Sequence, residues 1–148
     1  MIKNYSITYF TSCDYEEIIS LWEKSVRATH FFLSEDDIVF YKSMLENGYL
    51  QNVRLWGIKN SDNRILAFLG VDGNNIEMLF VDPDKRGMGL GRELVKYAVC
   101  KLKCNKVDVN EQNEQAVAFY DRMGFVLQSR DDNDSSGKPF PILHLIYH

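Results

Sequence analysis

Three glycines at alternate positions, Gly87, Gly89 and Gly91, separate an apolar run (76–80) from a segment of helical character (93–99). Glycine lets a backbone approach a ligand closely, where a Cβ would collide. The helix start beyond supplies unpaired N–H groups and the positive end of a dipole. Strand, glycine turn and helix start together equip a chain to hold a phosphate-bearing molecule. Lys85, Arg86 and Arg92 gather positive charge at the same place.

The surrounding elements can be read from pattern. Residues 2–10 alternate as a first strand. Ser12 and Asp14 are N-cap candidates for a helix carrying Ile18, Ile19, Trp22 and Val26. Ser34-Glu35-Asp36-Asp37 resembles a capping box for a second helix, which Gly48 ends. Residues 53–58, 65–71 and 76–81 read as strands joined by short turns, hence an antiparallel meander. The helix after the glycines is expected to reach about residue 102. A strand at 106–109, a helix at 115–123 closed by Gly124, and strands at 125–128 and 142–147 complete the chain. The polar stretch 130–139 reads as a mobile excursion. The order β-α-α-β-β-β-α-β-α-β-β predicts an α+β fold, a mixed sheet with helices on its faces.

A length of 148 residues fits one domain, 1–148, large enough for a real core. A formal charge of −4 argues against a nucleic-acid binder, whose footprint is a basic stripe. No apolar run approaches the roughly 20 residues that span a bilayer, so no membrane partner is expected. The N-terminus carries no secretory signal pattern. Cys13, Cys100 and Cys104 lack a disulfide framework, and Cys100 and Cys104 are expected to share a helix face. No zinc-ligand spacing occurs. These features predict buried or half-buried free thiols, no metal, and a cytoplasmic location.

Two separated signatures resemble the GNAT superfamily of acyl-CoA-dependent N-acyltransferases. One is Arg86-Gly87-Met88-Gly89-Leu90-Gly91 after the strand end Leu79-Phe80-Val81. The other is Asn110-Glu111-Gln112-Asn113-Glu114-Gln115-Ala116-Val117-Ala118-Phe119-Tyr120 followed by Gly124-Phe125. The resemblance covers essentially the whole chain. Ala28-Thr29-His30-Phe31-Phe32-Leu33 and Gly137-Lys138-Pro139-Phe140-Pro141 are further similar to a bacterial subgroup of small GNAT proteins, mostly of unassigned substrate. It implies a mostly antiparallel central sheet flanked by helices, acetyl-CoA as co-substrate, and acetyl transfer to a primary amine of a small molecule or peptide. Dimers are common among similar proteins, so a homodimer is an assembly to test for.

The resemblance also assigns roles. The loop Arg86 to Gly91, including Met88 and Leu90, would bind the CoA diphosphate through backbone amides, with Arg92 adding charge. Leu79, Phe80 and Val81 would pair their backbone with the pantetheine arm, and Asn113 would contact the cofactor or brace the next helix. Tyr120 would give a proton to the departing thiolate; a phenol of pKa ~10 can protonate a thiolate whose acid titrates near ~8.5. The base stays open between Glu77, on the strand before the glycine loop, and His30, in the loop after the first helix. The family's best-known base position falls at Asn75. An imidazole of pKa ~6.5 suits the task. Trp22, Phe31, Phe32 and Tyr41 are candidates for the acceptor pocket, although packing is the ordinary role of such side chains.

Two alternatives share part of the pattern. A catalytically silent CoA-binding regulatory module would keep the glycine loop. A dinucleotide-binding oxidoreductase would use Gly87-x-Gly89-x-Gly91 with Asp108 downstream. Its fingerprint, however, lies close behind its strand, and here Asp82 to Arg86 intervene.

Overall fold

The computed structural model describes residues 5–148. Seven strands and four helices follow the expected order: β1 (Ile7–Phe10), α1 (Tyr15–Thr29), α2 (Glu35–Glu46), β2 (Arg54–Lys59), β3 (Ile65–Asp72), β4 (Asn75–Val81), α3 (Leu90–Cys100), β5 (Lys106–Asn110), α4 (Glu114–Arg122), β6 (Phe125–Asp131) and β7 (Ile142–Tyr147). They form one sheet in the order β1-β2-β3-β4-β5-β7-β6, antiparallel throughout except between β4 and β5.

Local sequence explains the helices. In α1, Ile18, Leu21, Trp22, Ser25 and Val26 are buried, the spacing of one helical face. Ser34 caps α2: its hydroxyl accepts from the Asp37 N–H at 3.1 Å, and the Asp37 carboxylate accepts from the Ser34 N–H at 3.0 Å. Seven of the eight residues of β3 are buried, as suits a central strand covered on both faces. One core unites the sheet with Leu90, Leu94, Val95, Ala98 and Tyr120 of α3 and α4. The other unites it with Ile18, Leu21, Trp22, Val26, Ile38 and Leu45 of α1 and α2.

A bulge interrupts β4. Gly70 pairs with Met78 and Val71 with Ile76, so Glu77 has no partner in β3. The extra residue switches the side-chain alternation. Ile76 packs in the core under α3, whereas Met78 and Phe80 pack in the core under α1; Leu79 and Val81 return to the α3 side. An unbroken strand would have put Leu79 and Val81 on the face of Glu77.

The structure departs from expectation in four places. The strand foreseen from residue 2 begins at Ile7, and residues 1–4 lie outside the described part. Helix α3 stops at Cys100 and Lys103 takes φ +60°, so Cys100 and Cys104 do not share a helix face. Cys104 is buried, but Cys13 and Cys100 are exposed. Strand β6 runs on to Asp131 because Arg130 and Asp131 pair with Leu143 and Ile142 of β7, and ladder pairing outweighs their polar character.

Candidate active site

Strands β4 and β5 part after two residue pairs, Asn75 with Lys106 and Ile76 with Val107. From Glu77 onward β4 has no neighbour on that side, and the wedge opens into a cleft of about 320 Å³. Leu79, Phe80, Val81, Asn113, Phe119 and Tyr120 border it. Arg86 and Gly91 stand on the same border.

The glycine turn leads from this cleft into α3. Gly87 and Gly89 take φ of +76° and +80°, a region that side chains with a Cβ rarely adopt, and nothing lies within 4 Å of where a Cβ would stand at either. Gly89 is the N-cap of α3 and brings no side chain to cap it. The first bond of the helix runs from the Glu93 N–H to the Gly89 carbonyl at 3.0 Å, which leaves the N–H groups of Leu90, Gly91 and Arg92 without a helical acceptor. Met88 and Arg92 are exposed in this turn, while the Leu90 side chain is buried in the core. The open strand edge, bare glycine turn and free helix start fit a cofactor with a diphosphate and an amide-bearing arm.

A second cavity, about 810 Å³, lies between the sheet, α1, α2 and the loop 132–141. It meets the cleft at a shared border of His30, Glu77, Met78, Phe80, Asp108 and Asn110. The structure therefore brings both base candidates to the junction of the two spaces. Trp22 and Tyr41 line the larger cavity. Phe31 is 83% exposed, and Phe32 packs against the rings of His30 and Phe140 instead.

Protonation at the junction follows from burial. Glu77 is half-buried, and loss of solvent raises its carboxyl above the usual range; the Asn75 amide opposes this, and the charges of Asp108 and Asp72 add to it. Tyr120 is 5% exposed, its ring edge-on to Phe119 and Phe125, and burial alone raises its phenol. His30 is pushed down to about 4 by burial, so its imidazole is neutral at physiological pH. Tyr49, on the cavity wall, is raised to about 12 by burial and then by the charges of Glu77, Asp72 and Asp108.

The sequence marks Glu77 as a base candidate, but it does not mark Asp131, Asp132, Asp134 or His144 as parts of this cavity. Glu77, Asp108, Asp131, Asp132 and Asp134 all line it. His144 of β7 bridges two of them, with Nδ1 2.6 Å from Asp108 and Nε2 2.6 Å from Asp131, and these carboxylates raise its pKa. The loop 132–141 is fastened to α2. The Tyr41 hydroxyl donates to Asp134, and Lys138 pairs with Asp37 at 3.0 Å. Among the described residues no helix is long and apolar enough to cross a membrane, and no His, Cys, Asp and Glu cluster is arranged to hold a metal.

Comparison with known proteins identifies the family and the fold. A sequence profile of the acetyltransferase (GNAT) domain matches residues 23–138. The peptidyl-lysine N-acetyltransferase YjaB of Escherichia coli (strain K12) is 41% identical over 135 residues, 89% of each chain. The solution structure of apo-form YjaB from Escherichia coli superposes with a TM-score of 0.88 at 37% identity, covering 98% of both chains. The PaiA N-acetyltransferase from Thermoplasma acidophilum, solved with coenzyme A, has the same fold, with a TM-score of 0.69 at 19% identity over 98% of this chain and all (100%) of that one. The chain belongs to the GNAT family of acetyltransferases, which use acetyl-CoA as the acyl donor.

Proposed function

We propose that this N-acetyltransferase moves the acetyl group of acetyl-CoA to the side-chain amine of a lysine in a peptide or protein, by direct attack in a ternary complex. The observation that carries the reading is the acidic cavity joined to the cofactor cleft at Glu77. Five carboxylates favour a cationic acceptor, and the relatives at 41% and 40% identity are peptidyl-lysine N-acetyltransferases.

The chemistry requires a base. A lysine of pKa ~10.4 must lose a proton before it attacks, which costs about 4.6 kcal/mol at pH 7, against about 1 for an α-amine of pKa ~7.8. Glu77, raised by burial, is suited to take that proton. His30, lowered to about 4, is a much weaker base. Tyr120, buried and protonated, donates to the thiolate that departs. The donor's thioester supplies the activated acyl group, and the amides of the Gly87 to Gly91 turn with Arg86 and Arg92 hold its diphosphate.

The test is thiol release from acetyl-CoA with lysine peptides, N-terminally free peptides lacking lysine, and a polyamine as acceptors. Lysine peptides are expected to react fastest. CoA binding without release to any amine would favour the silent regulatory module instead.

A further inference from the structure

We propose that His30 is a positioning residue: held as the neutral Nδ1–H tautomer, it offers the Nε2 lone pair to Asn113 and so sets how α4 presents Tyr120 to the cofactor cleft. The assignment rests on counting protons along one chain of contacts. The Thr29 hydroxyl donates its single proton to the Ser25 carbonyl at 2.8 Å. The same oxygen lies 2.7 Å from His30 Nδ1 and, with its proton spent, accepts there. Nδ1 therefore carries the hydrogen, and Nε2 of the neutral ring is left with a lone pair. That nitrogen faces the Asn113 amide nitrogen at 3.5 Å, a long hydrogen bond. The Asn113 carbonyl oxygen in turn accepts from the Ala116 N–H at 3.3 Å, which turns the amide so that its NH₂ faces His30.

The relay joins the end of α1 to the start of α4 across the mouth between the two cavities. Rings hold the imidazole in place, with Phe32 at 5.4 Å and Phe80 at 6.2 Å between centroids. Asn113 is the N-cap of α4, and Tyr120 lies two helical turns further on, on the same side. Both border the cofactor cleft. A change at the His30 end of the relay thus acts on the roll of α4, and through it on the distance from phenol to thiolate. The role rests on Tyr120 as proton donor, and it replaces the base role with one that needs no proton transfer at His30.

Nitrogen NMR of the ¹⁵N-histidine-labelled full chain reads the tautomer directly, without turnover. A His30 ring protonated at Nδ1 and unprotonated at Nε2, unchanged from pH 6 to 8, is expected. An Nε2–H ring, or one that titrates near neutrality, overturns the proposal even where no variant folds. In kinetics, His30→Phe is expected to lower kcat about tenfold with acetyl-CoA affinity within about twofold. His30→Gln, which keeps a donor at one end and an acceptor at the other, is expected to recover at least about threefold of that loss. Equal loss in both variants overturns the proposal. Adding Asn113→Ala to His30→Phe is expected to lower kcat no further than the worse single change, as members of one relay do not add. Full additivity would break the link to α4. Normal turnover in Tyr120→Phe would remove the proton donor while leaving the tautomer to stand.

Discussion

Asp108 of β5 and His144 of β7 are direct cross-strand partners, and their side chains close to 2.6 Å on the wall of the larger cavity. With Asp131 on its other nitrogen, the two carboxylates favour the charged form of His144 and raise its pKa. The consequence for stability has a definite sign. The folded pKa of His144 is raised above its unfolded value of ~6.5. Its contribution is thus fully present below pH ~6.5 and lost as pH rises through the folded value. Denaturant midpoints of the wild type and His144→Asn are expected to differ most near pH 5.5 and to converge in alkali.

His30 has the opposite sign. Its folded value of about 4 lies below the unfolded one, so its contribution is present above pH ~6.5 and disappears as pH falls toward 4. In His30→Phe, the loss of stability between pH 6.5 and 4 is expected to be shallower than in the wild type. Melting curves over that range check it.

Tyr120 touches both the core and the cleft. Tyr120→Phe removes the hydroxyl and keeps the ring that packs edge-on against Phe119 and Phe125. Turnover is expected to fall at least about tenfold, the low end of what general acid catalysis loses, with acetyl-CoA affinity and melting temperature little changed. Stopped-flow thiol release and calorimetry separate the two effects.

Glu77→Gln is expected to slow acetylation of a lysine peptide at least about tenfold near pH 7. As pH rises toward ~10 the amine deprotonates unaided, so the defect is expected to shrink. A rate deficit constant from pH 7 to 10 would assign Glu77 to packing or charge rather than to proton transfer.

Gly89 caps α3 at φ +80°. Gly89→Val places a β-branched residue in a conformation it resists, at a local cost of about 1–3 kcal/mol. Its Cβ meets no protein atom within 4 Å, so the added bulk stands in the space before the helix start. The fold is expected to survive with a lowered melting temperature, and CoA binding by calorimetry is expected to vanish. Unaltered affinity would place the diphosphate elsewhere.

Short-range pattern made the element order, the glycine turn and the Asn113 to Tyr120 segment readable in the sequence, because each is set by neighbours within a turn or two. Contacts made across the sheet were not. The bulge at Glu77 depends on β3 register. His144 gains its meaning only when β7 inserts between β5 and β6. Asp108 lines the larger cavity, and its sequence position gives no sign of that placement. The loop after β6 reads as loose by composition, yet Tyr41 and Asp37, more than ninety positions away, hold it. His30 was visible as a reactive residue type, while its low pKa arises from burial that only tertiary packing creates.

The two-pair seam between β4 and β5 makes the sheet a ladder with missing rungs. A donor whose amide-bearing arm fills that gap is expected to add backbone cross-links the protein cannot form by itself, so that its rigidity follows the supply of donor. With acetyl-CoA bound, the chain is expected to be in mechanical terms a stiffer object than without it. Amide exchange along residues 77–81 would serve as the gauge.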